Sequence, residues 1–180
     1  MRIPSSTIED APGASRPLLA EMVQFSPTGR LLNLHAQMAQ APAVLEAYVA
    51  LRRATSTHGT LDLPMRAALM LAAATADGSE YALAIITTLA LRAGWHPDQV
   101  AALRAGADLG DEKTDSLISV VREASRHSGR VSDESWDRAV GLGWTAAQLA
   151  EAFAYLGLTV FTSYFLNYAD TEIDVPLAGE

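Results

Sequence analysis

Residues 77–94 of the chain read DGSEYALAIITTLALRAG. Asp77 and Gly78 form a turn signal, Ser79 is a residue type that caps helix N-termini, and an apolar helical run follows at once. Gly94 supplies the stop signal. A helix with so few polar residues has to be buried. We therefore expect it to form the core together with the helix before it.

Helical periodicity recurs along the rest of the chain, whereas no segment alternates apolar and polar residues between hairpin turns. The sequence therefore predicts an all-α protein. Proline and capping residues mark the helix starts, and a turn is expected at residues 26–29. The predicted helices cover residues 18–25, 31–40, 43–56, 65–76, 79–93, 97–104 and 113–127, a short segment after Ser132, and residues 146–168.

A chain of 180 residues is long enough for one domain with a substantial core. We expect a single domain over residues 1–180, with an extended N-terminal arm at 1–17 and a C-terminal strap at 169–180. The final helix is apolar on every side, so it must be buried by its own chain or by a partner, which predicts a homo-oligomer. Residues 152–169 carry no formal charge, but hydroxyl, amide and glycine residues interrupt them, so no membrane span is expected.

Charge and composition exclude several classes of function. The formal net charge is -8 and no run of Lys or Arg is present, so nucleic acid is not an expected partner, whereas a small molecule or another protein is. The chain has no cysteine, which excludes disulfides, thiolate metal sites and thiol catalysis. The first residues have no apolar run of signal-peptide length, so a cytoplasmic location is expected.

The histidines offer no metal site, and no cofactor motif stands out. His35, His58, His96 and His127 are scattered, with no pair spaced for one helix face. The segment GLGWTA, residues 141–146, lacks the preceding strand that a dinucleotide fingerprint needs. We therefore expect neither a metal nor a cofactor. His35 lies among apolar neighbours in LLNLHAQM, which is typical of a core or interface histidine, with a catalytic role as the alternative.

The stretch GSEYALAIITTLALRAG resembles the core motif of the carboxymuconolactone decarboxylase superfamily, and within it of the AhpD-like alkylhydroperoxidases. That motif reads roughly GCxYCxxxHxxxAxxxG, and Gly78, Tyr81, Ala90 and Gly94 fit it in register. Segments that start near residues 2, 33, 129 and 160 also resemble the long-chain AhpD-like branch. The resemblance covers nearly the whole chain, and it implies the AhpD-like all-α fold assembled as dimers, trimers or hexamers.

The same resemblance implies which positions carry the family's chemistry. The two cysteines would fall on Ser79 and Ala82, the histidine on Ile86 and the glutamate on Ala67. A hydroxyl cannot cycle through a disulfide, and the apolar residues can neither donate nor accept a proton. The machinery of the peroxidase branch and that of the decarboxylase branch are therefore both missing.

Two hypotheses follow, and a third possibility is that small residues simply close the site. The first is a non-redox small-molecule binding protein or pseudoenzyme that uses the apolar remnant of the peroxidase site, with polar residues orienting the ligand. The second is a cofactor-free lyase, decarboxylase or isomerase for a small organic acid or hydrophobic metabolite, with Tyr81, Glu80 or His35 as general acid or base. The candidate ligand-binding residues are Ala67, Ser79, Glu80, Tyr81, Ala82, Ile86, His35 and Asn167.

Overall fold

The structure is a computed structural model, and it describes residues 1–26 and 28–176. These residues contain nine helices and no strand, as the sequence predicts. The helices are α1 (Arg16–Gln24), α2 (Asn33–Met38), α3 (Pro42–His58), α4 (Leu63–Asp77), α5 (Glu80–Arg92), α6 (Pro97–Ala105), α7 (Glu112–Arg126), α8 (Asp133–Gly141) and α9 (Ala146–Ala169).

Each predicted helix is present, and the predicted and observed helices differ mainly in the residues at which they begin and end. The largest concerns α2, which spans 33–38 rather than 31–40. Ala41 is extended, with φ -124° and ψ 104°, because a residue before a proline is sterically kept out of the helical region. The predicted turn at 26–29 includes Pro27, and the predicted strap includes residues 177–180. Those residues lie outside the described part of the chain.

Helix α4 is the centre of the molecule. It packs against α5, α6, α7 and α9, and most of its residues from Met65 to Ala74 are buried. Many of them are alanines, whose small side chains favour a helix and let neighbouring backbones approach closely. Asp62 caps the helix by accepting a hydrogen bond of 2.8 Å from the Met65 N–H. The α4 and α5 pair forms the core that the opening stretch predicts.

The turn between α4 and α5 follows the predicted chemistry. Gly78 ends α4 in the left-handed conformation, with φ +66°, and its N–H donates to the Ala74 carbonyl at 3.2 Å. Ser79 is buried and caps α5, since its Oγ accepts a hydrogen bond of 3.4 Å from the Ala82 N–H. The turn therefore starts α5 with its first residues packed directly against the core.

Both ends of the described chain hold α2 in place. The Ser6 N–H donates to the Ala36 carbonyl at 2.9 Å, which joins the N-terminal arm to the helix. The Asn33 side chain donates to the Glu172 carbonyl at 3.0 Å, which joins the segment after α9 to the same helix. A helix of six residues would be unstable alone, so these bonds fix its position.

Helix α9 has the length and hydropathy of a membrane span. It nevertheless packs against α3, α4, α5 and α7, and the residues it buries face those helices, so we interpret it as a core helix. Not every side is covered within the chain. Phe153, Tyr164 and Tyr168 on α9 are 62%, 60% and 73% exposed.

Candidate functional site

A cavity of about 400 Å³ lies between α2, α3, α4, α5 and α9, and we call it the central cavity. Its volume falls in the range of small-molecule pockets, roughly 300–1,000 Å³. Three helices line it with residues spaced by three or four positions, so that each helix contributes one face. These residues are Tyr48, Arg52 and Thr55 on α3, Ala82, Ile86 and Leu89 on α5, and Tyr155, Thr159 and Thr162 on α9.

Three of the four positions that the resemblance assigns to the family's chemistry line this cavity. Ala67 and Ala82 are each 1% exposed, and Ile86 is 3% exposed. They come from two neighbouring helices and form one wall. The cavity therefore lies beside the positions to which the resemblance assigns a cysteine, a histidine and a glutamate, and its wall there is apolar.

His35 adds the most unusual polar group of the cavity. Its side chain is buried, and neither Nδ1 nor Nε2 has a hydrogen-bond partner among the described residues. Its ring packs against Tyr48, with ring centroids 5.2 Å apart and planes tilted by 46°. Burial, and then the positive charge of Arg52, lower the pKa of His35 to about 3. The imidazole is therefore neutral at physiological pH.

Positive charge lines the same cavity. Arg52, Arg66 and Arg92 are lining residues, and no Asp or Glu is found among the described residues that line it. The Arg52 guanidinium lies 5.9 Å from the ring centroids of both Phe25 and Tyr48. The cavity of a protein with a net charge of -8 is therefore lined by three cationic side chains.

The loop between α3 and α4 fixes one side of the cavity. Arg66 donates a hydrogen bond of 2.9 Å to the Gly59 carbonyl, and its guanidinium lies 5.9 Å from the Tyr155 ring centroid. The Glu151 carboxylate accepts bonds of 2.9 Å from the Thr60 N–H. Burial raises the pKa of Glu151, but the bonds from its neighbours outweigh that effect and lower it overall. The loop is thus tied to both α4 and α9.

Tyr155 is the other titratable group with an altered pKa at the cavity. Its hydroxyl donates to the Thr55 carbonyl at 3.2 Å. Burial is the largest cause of a pKa raised to about 12, which Arg66 counteracts and Glu151 reinforces. The phenol is therefore a neutral, hydrogen-bonded wall residue at pH 7.

The structure does not bring four of the sequence-predicted residues to the central cavity. Ser79 is buried in its capping role, while Glu80 and Asn167 are exposed. The Tyr81 hydroxyl donates a hydrogen bond to the Asp174 carboxylate instead. Burial and this bond raise the pKa of Tyr81 well above its usual value. Of the predicted set, the cavity unites Ala67, Ala82, Ile86 and His35.

Sequence reasoning missed the arginines and the faces of α3 and α9. A signal for α3 was present, since Tyr48, Arg52 and Thr55 are spaced as one helix face. Nothing in a single sequence indicated that this face meets α5 across a cavity. As for metals, residues 1–26 and 28–176 contain no group of three or more His, Cys, Asp or Glu side chains placed to hold an ion.

Comparison with protein families finds a match over the middle of the chain. Residues 42–123, from α3 into α7, match the model of the carboxymuconolactone decarboxylase family. Over those residues the chain is similar to that family, and its fold is that of AhpD-like proteins. A search of curated proteins finds no sequence match.

Solved structures share the fold at low sequence identity. The debrominase Bmp8, as a cysteine-to-alanine variant in complex with 2,3,4-tribromopyrrole, is 18% identical, with a TM-score of 0.81 over 97% of this chain and 92% of that one. A peroxidase-related protein with an AhpD core from Ralstonia eutropha JMP134 is 18% identical, with a TM-score of 0.82 over 96% and 92%. A peroxidase-related protein from Silicibacter sp. TM1040 is 15% identical, with a TM-score of 0.75 over 100% and 98%.

Proposed function

We propose that the protein is a non-redox member of its superfamily that binds a small, largely apolar molecule in the central cavity. The observation that carries this proposal is the cavity itself. It persists beside Ala67, Ala82 and Ile86, where collapse of the neighbouring helices onto small residues would have closed it. The chain has no cysteine, so a dithiol peroxidase cycle has no sulfur to use. The Bmp8 complex supports a small aromatic ligand for this fold.

The geometry favours binding over the catalytic alternative. A lyase or isomerase needs a titratable group at its reacting atoms with a pKa near the working pH. Glu80 and Tyr81, two of the three candidates for that role, are not among the lining residues. His35 is, but a pKa of about 3 makes it a weak base.

The assembly is part of the same proposal. The exposed aromatic residues of α9 leave an apolar face that a second copy of the chain would cover, which supports the homo-oligomer expected from the sequence. We also propose that the protein is located in the cytoplasm.

Thermal unfolding against a compound panel tests the binding function. The panel contains neutral apolar compounds, halogenated aromatics and small organic acids. A ligand at about 100 times its dissociation constant adds roughly 2.7 kcal/mol of stability, which gives a clear rise in melting temperature. We expect at least one class to raise it. The absence of a shift with every class would contradict the proposal.

Two cavity-filling variants serve as controls. Ala82→Leu and Ala67→Leu place extra methyl groups in the central cavity, so each folded variant should lose the shifts that the wild type shows. Shifts that survive in both would mean that the ligand binds elsewhere. In parallel, an organic hydroperoxide with a dithiol donor should give no turnover, and a rate abolished by Ser79→Ala would overturn the non-redox assignment.

A further inference from the structure

The unpaired imidazole of His35 is the one group in the central cavity whose hydrogen-bonding capacity is wholly unused. Its side chain is 2% exposed, and both ring nitrogens lack a partner among the described residues. A buried polar group without a partner destabilises a folded protein, so such a group calls for an explanation. A ligand group in the cavity that His35 lines would provide that partner.

Most of the other hydroxyl groups of the cavity already donate a hydrogen bond within the protein. The threonines Thr55, Thr88, Thr159 and Thr162 each donate to a carbonyl of their own helix, at 3.0, 3.1, 2.8 and 2.7 Å. Tyr155 donates to the Thr55 carbonyl. These residues therefore add mainly apolar surface, and the polar recognition falls to His35, the Tyr48 hydroxyl and the arginines.

Arg52 and His35 both lie against the Tyr48 ring. The His35 ring centroid lies 5.2 Å from that of Tyr48, and the Arg52 guanidinium carbon lies 5.9 Å from the same ring. Arg52 donates a long hydrogen bond of 3.4 Å to the Tyr48 hydroxyl. A guanidinium has five N–H donors, so this bond uses one of them. No carboxylate among the described lining residues neutralises it.

We propose that the central cavity selects an amphipathic organic anion whose negative group binds Arg52 and whose second hydrogen-bonding group binds His35. The apolar body of the ligand lies against Ala82 and Ile86. This inference rests on the proposed binding function and names its ligand class. A neutral imidazole has one donor and one acceptor, so a hydroxyl, a carbonyl or a ring N–H on the ligand complements it. His35 is therefore the residue that determines specificity among anions of equal size.

Matched probes test the two contacts by isothermal titration calorimetry at pH 7. The probes are the ortho, meta and para isomers of hydroxyphenylacetate, phenylacetate without the hydroxyl, and the hydroxyphenylacetamides without the charge. We expect at least one hydroxyphenylacetate to bind roughly tenfold more tightly than phenylacetate and than its own amide, which is the effect of one well-paired polar or charged group.

The variants assign each advantage to a residue. His35→Phe keeps a ring against Tyr48 but removes both nitrogens. It should reduce the hydroxyl advantage to less than twofold, while the melting temperature of the free protein rises by about 2–4 °C or more because an unpaired polar group is gone. Arg52→Gln should remove the preference for acid over amide. Arg104→Gln removes the same charge from an exposed residue of α6 that does not line the cavity, and should keep that preference.

The outcomes distinguish a failure of the proposed ligand class from a failure of the proposed binding function. An amide that binds as tightly as its acid, or a hydroxyl advantage that survives in His35→Phe, overturns this inference. If neutral apolar compounds of the thermal panel bind and the hydroxyphenylacetates do not, the ligand class is wrong while the binding function stands. If no compound binds by either method, the binding function itself fails.

Discussion

The hydroxyl of Tyr81 on α5 donates a hydrogen bond to the Asp174 carboxylate, which also accepts a bond of 3.0 Å from the Asn33 N–H at the start of α2. One carboxylate therefore joins α5, α2 and the segment after α9. Because α2 carries His35, the hydrogen bonds that Asp174 accepts help to hold one wall of the central cavity in place.

Removing the Tyr81 hydroxyl should lower stability and change its pH dependence. Tyr81→Phe loses a bond to a charged group, worth about 1.5–3 kcal/mol. The pKa of Tyr81 is raised in the folded state, so its contribution is complete below the unfolded pKa of about 10 and is lost as the pH rises above it. Chemical denaturation between pH 7 and 11 should show a steeper loss in the wild type than in Tyr81→Phe.

The exposed Tyr164 provides the matched control for that measurement. Tyr164→Phe should retain both the stability at pH 7 and the steep loss above pH 10. Equal stability of Tyr81→Phe and the wild type at pH 7 and at pH 11 would contradict a stabilising hydrogen bond between Tyr81 and Asp174.

The positions of some single residues at the site could be predicted from the sequence, whereas those of others could not. Ala67, Ala82 and Ile86 could be placed at one site because the family motif fixes their spacing on two helices. Ser79 could be expected to cap α5, but its burial away from the cavity depends on the turn at Gly78. The partner of Tyr81 lies 93 positions away in an irregular segment, a distance at which no periodicity carries information.

Among the elements, the loop between α3 and α4 depends on a close approach at Gly59. A Cβ atom there would collide with the Thr55 carbonyl oxygen and the Tyr155 hydroxyl. The same loop gives its Gly59 carbonyl to Arg66 of the cavity. Gly59 directly follows the last residue of α3, and the packing of α9 against α3 also requires a glycine there.

Gly59→Ala should therefore destabilise the protein by about 1–3 kcal/mol, the usual cost of forcing extra volume into a packed site. Because Arg66 and Tyr155 would both shift, affinity for a cavity ligand should fall as well. Urea denaturation and ligand titration measure the two effects.

Gly141→Ala is the control, since a Cβ at Gly141 meets no atom within 4 Å and its position at the end of α8 tolerates alanine. It should be neutral or slightly stabilising. If Gly59→Ala behaved in the same way, the close approach of Tyr155 to the loop would be wrong.

Element types and order followed from hydrophobic period and capping residues, which are local properties. The cavity could not be predicted from such local properties, because it forms where α3, α5 and α9 meet. Tyr48, Arg52 and Thr55 have the spacing of a helix face, but that spacing alone is equally compatible with a solvent-facing or a packed surface.

At the scale of the whole molecule, α9 presents an aromatic face. Phe153, Tyr164 and Tyr168 are separated by 11 and 4 positions, which places them on one side of the helix. Gly157 lies on the same side, and a Cβ there would meet no atom within 4 Å. An exposed apolar stripe of this kind is typical of a surface that another protein covers.

This face predicts that the protein assembles with copies of itself through α9. Light scattering coupled to size-exclusion chromatography should give a mass that is a multiple of 19.1 kDa for the wild type. Phe153→Asp puts an unpaired charge into the interface and should shift the mass to the monomer. Trp136→Asp, at an exposed aromatic residue of α8, should leave the assembly unchanged. A monomeric wild type at micromolar concentrations would contradict the prediction.

Access to the central cavity from solvent can be measured by thiol labelling, because the chain has no cysteine of its own. Ile86 and Thr87 are adjacent on α5 and both 3% exposed, but of the two only Ile86 lines the central cavity. Labelling of Ile86→Cys and Thr87→Cys with a small methanethiosulfonate reagent therefore isolates access through the cavity. We expect Ile86→Cys to react much faster than Thr87→Cys and to be protected by a ligand from the thermal panel. Equal rates at the two positions, with no protection by any such compound, would contradict this expectation.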